Sequence, residues 1–64
     1  MLADNIKRYR AAKKLSQEQL AQKAGITYST LAKLESGANR NPTVNTLQQI
    51  ARALGVTLDE LMKD

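Results

Sequence analysis

Apolar residues recur along this chain at spacings of three and four, and alternation never persists beyond a few positions. That pattern predicts helices and no strands. The clearest stripe is Val44, Leu47, Ile50, Ala51 and Leu54, one face of a single amphipathic helix. The ends of the helices are as legible as their faces. Ser16-Gln17-Glu18-Gln19 has the form of a capping box, in which the Ser hydroxyl takes an orphan N–H and the Gln reaches back. Thr57-Leu58-Asp59-Glu60 repeats the device, and Thr43, stiffened by Pro42 before it, can cap another helix. Gly25, Gly37 and Gly55 each follow a periodic stretch, where a left-handed residue closes a helix cheaply. Together these signals predict helices over 2–13, 17–24, 28–36, 44–54 and 58–62, an all-α domain.

Leu20-Ala21 through Gly25-Ile26-Thr27 and Ile50-Ala51 through Gly55-Val56-Thr57 look like an internal repeat. Two helices ending by the same chemistry account for it without a duplication. Sixty-four residues with no linker or low-complexity tract make one domain, spanning 1–64 and near the lower size limit for a lone core. No cysteine or histidine is present, so disulfides and ordinary zinc sites are excluded as staples and tight packing must hold the fold. No apolar run approaches the roughly 20 residues needed to cross a bilayer, and Asp4, Lys7, Arg8 and Arg10 interrupt any signal-like core. A soluble cytoplasmic protein, without membrane association, is expected. Ten basic against six acidic side chains give +4, which favours a polyanionic partner only modestly.

Residues 17–34 change that picture. Two short helices, 17–24 and 28–36, are joined by a turn of about three residues beginning at Gly25. Leu20, Ala24, Ile26, Leu31 and Leu34 can point to one core, and the small Ala21 allows close approach of the neighbouring helix. Gly25 supplies the positive φ of a tight turn between steeply crossed helices. The set as a whole is the geometry of a helix-turn-helix.

Leu15-Ser16-Gln17-Glu18-Gln19-Leu20-Ala21, Gly25-Ile26, Leu31, Leu34-Glu35-Ser36-Gly37, Pro42 and Leu54-Gly55-Val56 carry a resemblance. Over nearly its whole length the chain resembles the Cro and phage-repressor type (XRE) helix-turn-helix regulators, most of all the N-terminal domains of lambdoid phage repressors. The resemblance implies a compact five-helix, lambda-repressor-like DNA-binding domain of bacterial or phage origin. It implies a transcriptional regulator, in the first instance a repressor, that inserts helix 3 into the major groove, usually as a symmetric dimer on a palindromic operator. One position departs from the pattern: Lys14 stands where many relatives carry Gly before Leu15, which predicts slight strain.

With Leu31 and Leu34 in the core, the opposite face of helix 3 shows Tyr28, Ser29, Ala32 and Lys33, with Thr27 at the N-cap. The first turns of a recognition helix approach base edges, so Thr27, Tyr28, Ser29 and Lys33 are the base-reading candidates, as the matching family positions also imply. Gln17 starts helix 2, where a helix N-terminus favours anions, and is a phosphate candidate. In relatives the segment after helix 3 runs along phosphates, which implies the same of Ser36, Asn39, Arg40, Asn41 and Thr43; the alternative for each is a solvated loop residue, an equal reading for Asn39 and Asn41 and a lesser one for Arg40. Helix 1 and the residue just after it, Lys14, hold five of the ten basic residues. Among them Lys7 and Lys14 are phosphate candidates, Arg8 and Lys13 read as solvated, and the resemblance implies a structural ion pair between Arg10 and Glu35. In relatives helix 5 and the segment leading to it supply a two-fold contact, which would use Val56, Leu58, Leu61 or Met62. For these four residues a cap on the core is an equal reading, and any dimer is a weak one.

The pattern calls for no cofactor, no metal and no catalysis. His and Cys are absent, and the six carboxylates are scattered without a Gly-rich phosphate loop. Single-stranded RNA fits poorly, since only Tyr9 and Tyr28 could stack a base. The remaining rival is a protein-interaction module on the same fold, against which the polar and basic outer face of helix 3 argues.

Overall fold

The computed structural model describes residues 1–63, and among them every regular element is a helix. These are α1 (Leu2–Ala12), α2 (Gln17–Ala24), α3 (Tyr28–Ser36), α4 (Val44–Leu54) and α5 (Leu58–Met62). Four of the five have the bounds expected from the sequence, and α1 stops one residue early, with Lys13 as its C-cap. The agreement follows from capping chemistry, which is local. Both capping boxes form: Ser16 accepts from the Gln19 N–H while Gln19 reaches back, and Thr57 and Glu60 do the same. Accepting from the Thr57 N–H and hydroxyl holds the Glu60 carboxyl below its ordinary pKa. Thr27 and Thr43 cap α3 and α4 through the Thr30 and Thr46 N–H groups.

The apparent repeat is two copies of one stop signal. At the end of α2, Gly25 sits at φ 72° and the Ile26 N–H bonds back to the Ala21 carbonyl. At the end of α4, Gly55 at φ 70° and the Val56 N–H to Ala51 reproduce it. Each is a Schellman closure, and each is followed at once by a capping Thr that starts the next helix.

Packing closes a ring. The main neighbours run α1 to α3, α3 to α2, α2 to α4, α4 to α5, and α5 back to α1. Ile6, Leu20, Leu31, Leu34, Ile50, Leu54 and Leu61 fill its centre with no exposed surface worth the name. Ala21 and Ala24 are buried at the α2 contacts, and Ile26 is half-buried against the same cluster.

Two expectations from the apolar pattern are corrected here. Val44, read as part of the α4 stripe, is 62% exposed, and Ala53 takes a place in the core instead. Val44 is the first residue of α4, so its side chain lies beyond the elements that cover the rest of the stripe. Leu61, one of the two-fold-contact candidates, is fully buried, because α5 closes the ring between α4 and α1. It belongs to the core, whereas Met62 is 51% exposed and Val56 and Leu58 are half-buried.

Asn5 is a buried polar residue that the apolar pattern does not single out. Its Nδ2 donates to the carbonyls of Leu61, at 2.9 Å, and of Lys63, and its Oδ1 accepts from Arg8. It thereby takes up carbonyls that the short α5 leaves open and ties them to α1.

Lys14 adopts φ +58° in the α1–α2 connection, the only positive φ outside glycine among the described residues. This is the position where the family resemblance expects Gly. A left-handed residue with a Cβ costs roughly 1 kcal/mol, partly offset when Gly is introduced by its greater freedom in the unfolded chain. Lys14→Gly should therefore stabilise the domain by up to about 1 kcal/mol, which raises Tm by about 4–8 °C in a domain this small. Thermal unfolding followed by circular dichroism checks it, and an unchanged or lower Tm would refute the strain.

Candidate nucleic-acid interface

The candidate interface is built by the α2–turn–α3 unit. Leu31 and Leu34 turn one side of α3 into the core, which leaves Tyr28, Ser29 and Lys33 exposed on the other side and Ala32 half-buried between them. Tyr28 is 52% exposed, a large ring held at the first turn of the helix. Neither Ser29 nor Lys33 engages its side chain with another described residue, so both are open to a partner. Thr27 differs. Its Oγ1 accepts from the Thr30 N–H at 3.1 Å and lies 2.8 Å from the Thr30 hydroxyl, so capping already occupies it.

Behind this face lies a connected polar chain. Arg10 donates to both carboxylate oxygens of Glu35, Nε to Oε2 at 2.8 Å and Nη2 to Oε1 at 3.0 Å. Its Nη1 donates to the Leu15 carbonyl at 2.8 Å, which fixes the α1–α2 connection as well. This is the two-pronged arrangement in which Arg serves and Lys does not. The Glu35 side chain is 3% exposed and that of Arg10 is 21% exposed. Gln17 Nε2 donates to Glu35 Oε1 at 3.1 Å, and the Tyr28 hydroxyl donates to Gln17 Oε1 at 3.1 Å. Gln17 is thus half-buried between the ion pair and the outer face, with its second amide hydrogen unused.

The segment after α3 is folded on itself. Gly37 is left-handed, the Asn39 N–H bonds to the Lys33 carbonyl, and the Asn41 N–H bonds to Asn39 Oδ1 at 3.0 Å. The Ser36 hydroxyl donates to the Lys33 carbonyl, and the Thr43 hydroxyl donates to Thr46. Both hydroxyl hydrogens are therefore spoken for, whereas the exposed Arg40 guanidinium has no partner among the described residues.

The basic residues of α1 and of the connection after it divide by orientation. Arg10 turns inward; Arg8 bonds Asn5 and lies 5.3 Å from the Tyr9 ring centroid. Lys7 makes an exposed 3.7 Å pair with Asp4, a contact too weak to withhold it from a phosphate. Lys13 and Lys14 are exposed. Among the described residues there is no cluster of His, Cys, Asp or Glu able to hold a metal ion, and no helix is long and apolar enough to cross a membrane.

Sequence reasoning places the outer face of α3 and misses Asn5 and the link from Tyr28 through Gln17 to Glu35. Nothing in the spacing of residues 17, 28 and 35 marks that link, because it joins the starts of two helices to the end of one.

Comparison with known proteins gives this geometry its context. The helix-turn-helix family pattern matches residues 6–61. An uncharacterised HTH-type transcriptional regulator of Sinorhizobium fredii is 42% identical over 62 residues, which are 97% of this chain and 79% of that protein. The immunity repressor of Bacillus phage phi105 is 38% identical over 61 residues, 95% of this chain and 42% of the repressor. A crystal structure of the biofilm regulator SinR in complex with DNA superimposes with a TM-score of 0.95 at 33% identity, covering 98% of this chain and all of that one. The chain thus spans most of one such relative and less than half of another. By the pattern over residues 6–61 and by the fold, this chain belongs to the helix-turn-helix family.

Proposed function

We propose that the domain is a DNA-binding transcriptional regulator, in the first instance a repressor, that reads double-stranded DNA with α3 in the major groove. The observation that carries this reading is the outer face of α3. Tyr28, Ser29 and Lys33 stand exposed on it, with the side chains of Ser29 and Lys33 uncommitted, on a fold shared with a protein solved on DNA. Lys33 reaches guanine O6 or N7, and the Tyr28 ring packs on a thymine methyl. Thr27 contributes through its methyl and by fixing the start of α3, since its hydroxyl is engaged.

Phosphates are met by the open amide hydrogen of Gln17 beside the α2 N-terminus, by Arg40, and by Lys7 and Lys14. Asn39 and Asn41 add their side-chain amides and Thr43 its backbone N–H, and Ser36 joins them by turning its hydroxyl from the Lys33 carbonyl. The protein acts in the cytoplasm of a bacterium or a phage's host, carries out no catalysis and needs no cofactor. It works as a weak two-fold dimer on a palindromic operator, with half-sites about one helical turn (roughly 34 Å) apart. Met62, together with the half-buried Val56 and Leu58, supplies the contact.

Selection from randomised duplex DNA, followed by titration at two salt concentrations, tests this. A palindrome should be recovered, and log K should fall against log salt with a slope near −5 to −7 if the dimer neutralises about six to eight phosphates. Lys33→Ala should weaken the recovered site by about 1–2 kcal/mol per half-site and relax preference at one base pair. Recovery of no motif would overturn the reading and favour a protein-interaction module.

A further inference from the structure

We propose that the Arg10–Glu35 ion pair decides what Tyr28 offers the DNA, which makes Gln17 a specificity-determining residue that acts without touching a base. The inference rests on the reading of α3 as the major-groove helix. Both Glu35 oxygens already accept from Arg10, so Glu35 meets Gln17 as an acceptor. A Gln side chain is donor at one end and acceptor at the other, so at 3.1 Å from Glu35 Oε1 Gln17 must present its NH2 there. Its oxygen consequently faces outward, toward Tyr28. The phenol oxygen lies 3.1 Å from that oxygen, and two acceptors do not bond, so the phenol hydrogen must point at Gln17. What remains on the Tyr28 oxygen is a lone pair.

A hydroxyl held in this way accepts and does not donate. In the major groove the base-edge donors are the amino groups of adenine (N6) and cytosine (N4). Guanine O6 and N7 and thymine O4 are acceptors and would face the Tyr28 oxygen lone pair to lone pair. The Tyr28 hydroxyl therefore selects an amino-bearing base on the strand it reaches and rejects a keto-bearing one, and the thymine whose methyl meets the ring is a different, neighbouring base. Gln17 and Glu35 are positioning residues in this scheme. The second amide hydrogen of Gln17 stays available to a phosphate, so docking on the backbone reinforces the same orientation of the amide.

The experiment is selection and sequencing with the intact chain, its Tyr28→Phe variant and its Gln17→Met variant, with thermal unfolding of each to verify the fold. In the parent selection, the position that changes on Tyr28→Phe should carry A or C on the contacted strand, preferred over G and T by about 3- to 10-fold. Tyr28→Phe removes one exposed oxygen and keeps the fold, so it tests the amino-versus-keto choice by itself. Gln17→Met frees the hydroxyl to rotate and donate, and preference at that one position should collapse while the others persist. A merely structural role for Gln17 would instead lower affinity for all sequences alike. The inference is overturned by a keto base at the Tyr28-dependent position, by no such position, or by an unchanged preference in Gln17→Met. Recovery of no motif at all would instead remove the DNA reading beneath it.

Discussion

Glu35→Ala is expected to bring the domain to the edge of unfolding. The substitution removes a carboxylate that is 3% exposed and leaves the Arg10 guanidinium, itself only 21% exposed, with the Leu15 carbonyl as its sole remaining partner. Removing one member of a buried ion pair costs about 3–5 kcal/mol, because the charge left behind is neither paired nor fully hydrated. The Arg10 side chain retains some contact with water, so the lower end, about 3 kcal/mol, is expected. A domain of this length has a total stability of roughly 3–10 kcal/mol, so the loss is a large share of it. Urea unfolding should show the midpoint fall by about a third or more with an unchanged slope. A loss below about 1 kcal/mol would show that the pair contributes little to holding α1 to α3. The double change Arg10→Met with Glu35→Leu supplies the control. Replacing both charges by apolar groups of similar volume is often neutral or stabilising, so the fold should survive while Gln17 loses the acceptor that orients it.

The second large effect is expected in α5, at the C-terminal end of the described chain. Leu61→Ala should cost about 2–5 kcal/mol, the range for emptying a fully buried Leu site. The adjacent Met62→Ala should leave the unfolding midpoint within about 0.5 kcal/mol, since Met62 is half exposed and covers little of the core. The two changes separate core from contact surface. If α5 supplies the two-fold contact, Met62→Ala should weaken binding to a palindrome more than to an isolated half-site, and analytical ultracentrifugation should show the self-association reduced. An equal stability loss for both variants would mean that α5 has no outward face available for a partner.

Local chemistry explains why so much of this fold is legible in the amino-acid sequence. Ser16 with Gln19, Thr57 with Glu60 and the capping Thr43 each meet their backbone partners within three residues. The helix limits and the helix-turn-helix unit can accordingly be read from the chain alone, and so can the outer face of α3, which is the complement of Leu31 and Leu34. The same locality explains the strain at Lys14, where the short connection between the end of α1 and Leu15 demands a left-handed residue whatever the side chain. Asn5 is not legible in this way, since the carbonyl it satisfies lies 56 residues away. Nor is the pairing of Tyr28 with Gln17, 11 residues apart on different helices.

Element order, the points where each helix starts and stops, and the surface offered by α3 are thus properties of the chain's own local pattern. They depend on hydrogen bonds and periodicities that close within one or two turns of helix. Tertiary packing alone settles which end of an apolar stripe is covered, placing Val44 outside and Leu61 inside. It also settles how the polar groups around Glu35 share their donors and acceptors. Both depend on the order in which helices close the ring, because burial and hydrogen-bond direction at a side chain are set by whichever neighbour arrives from elsewhere in the chain.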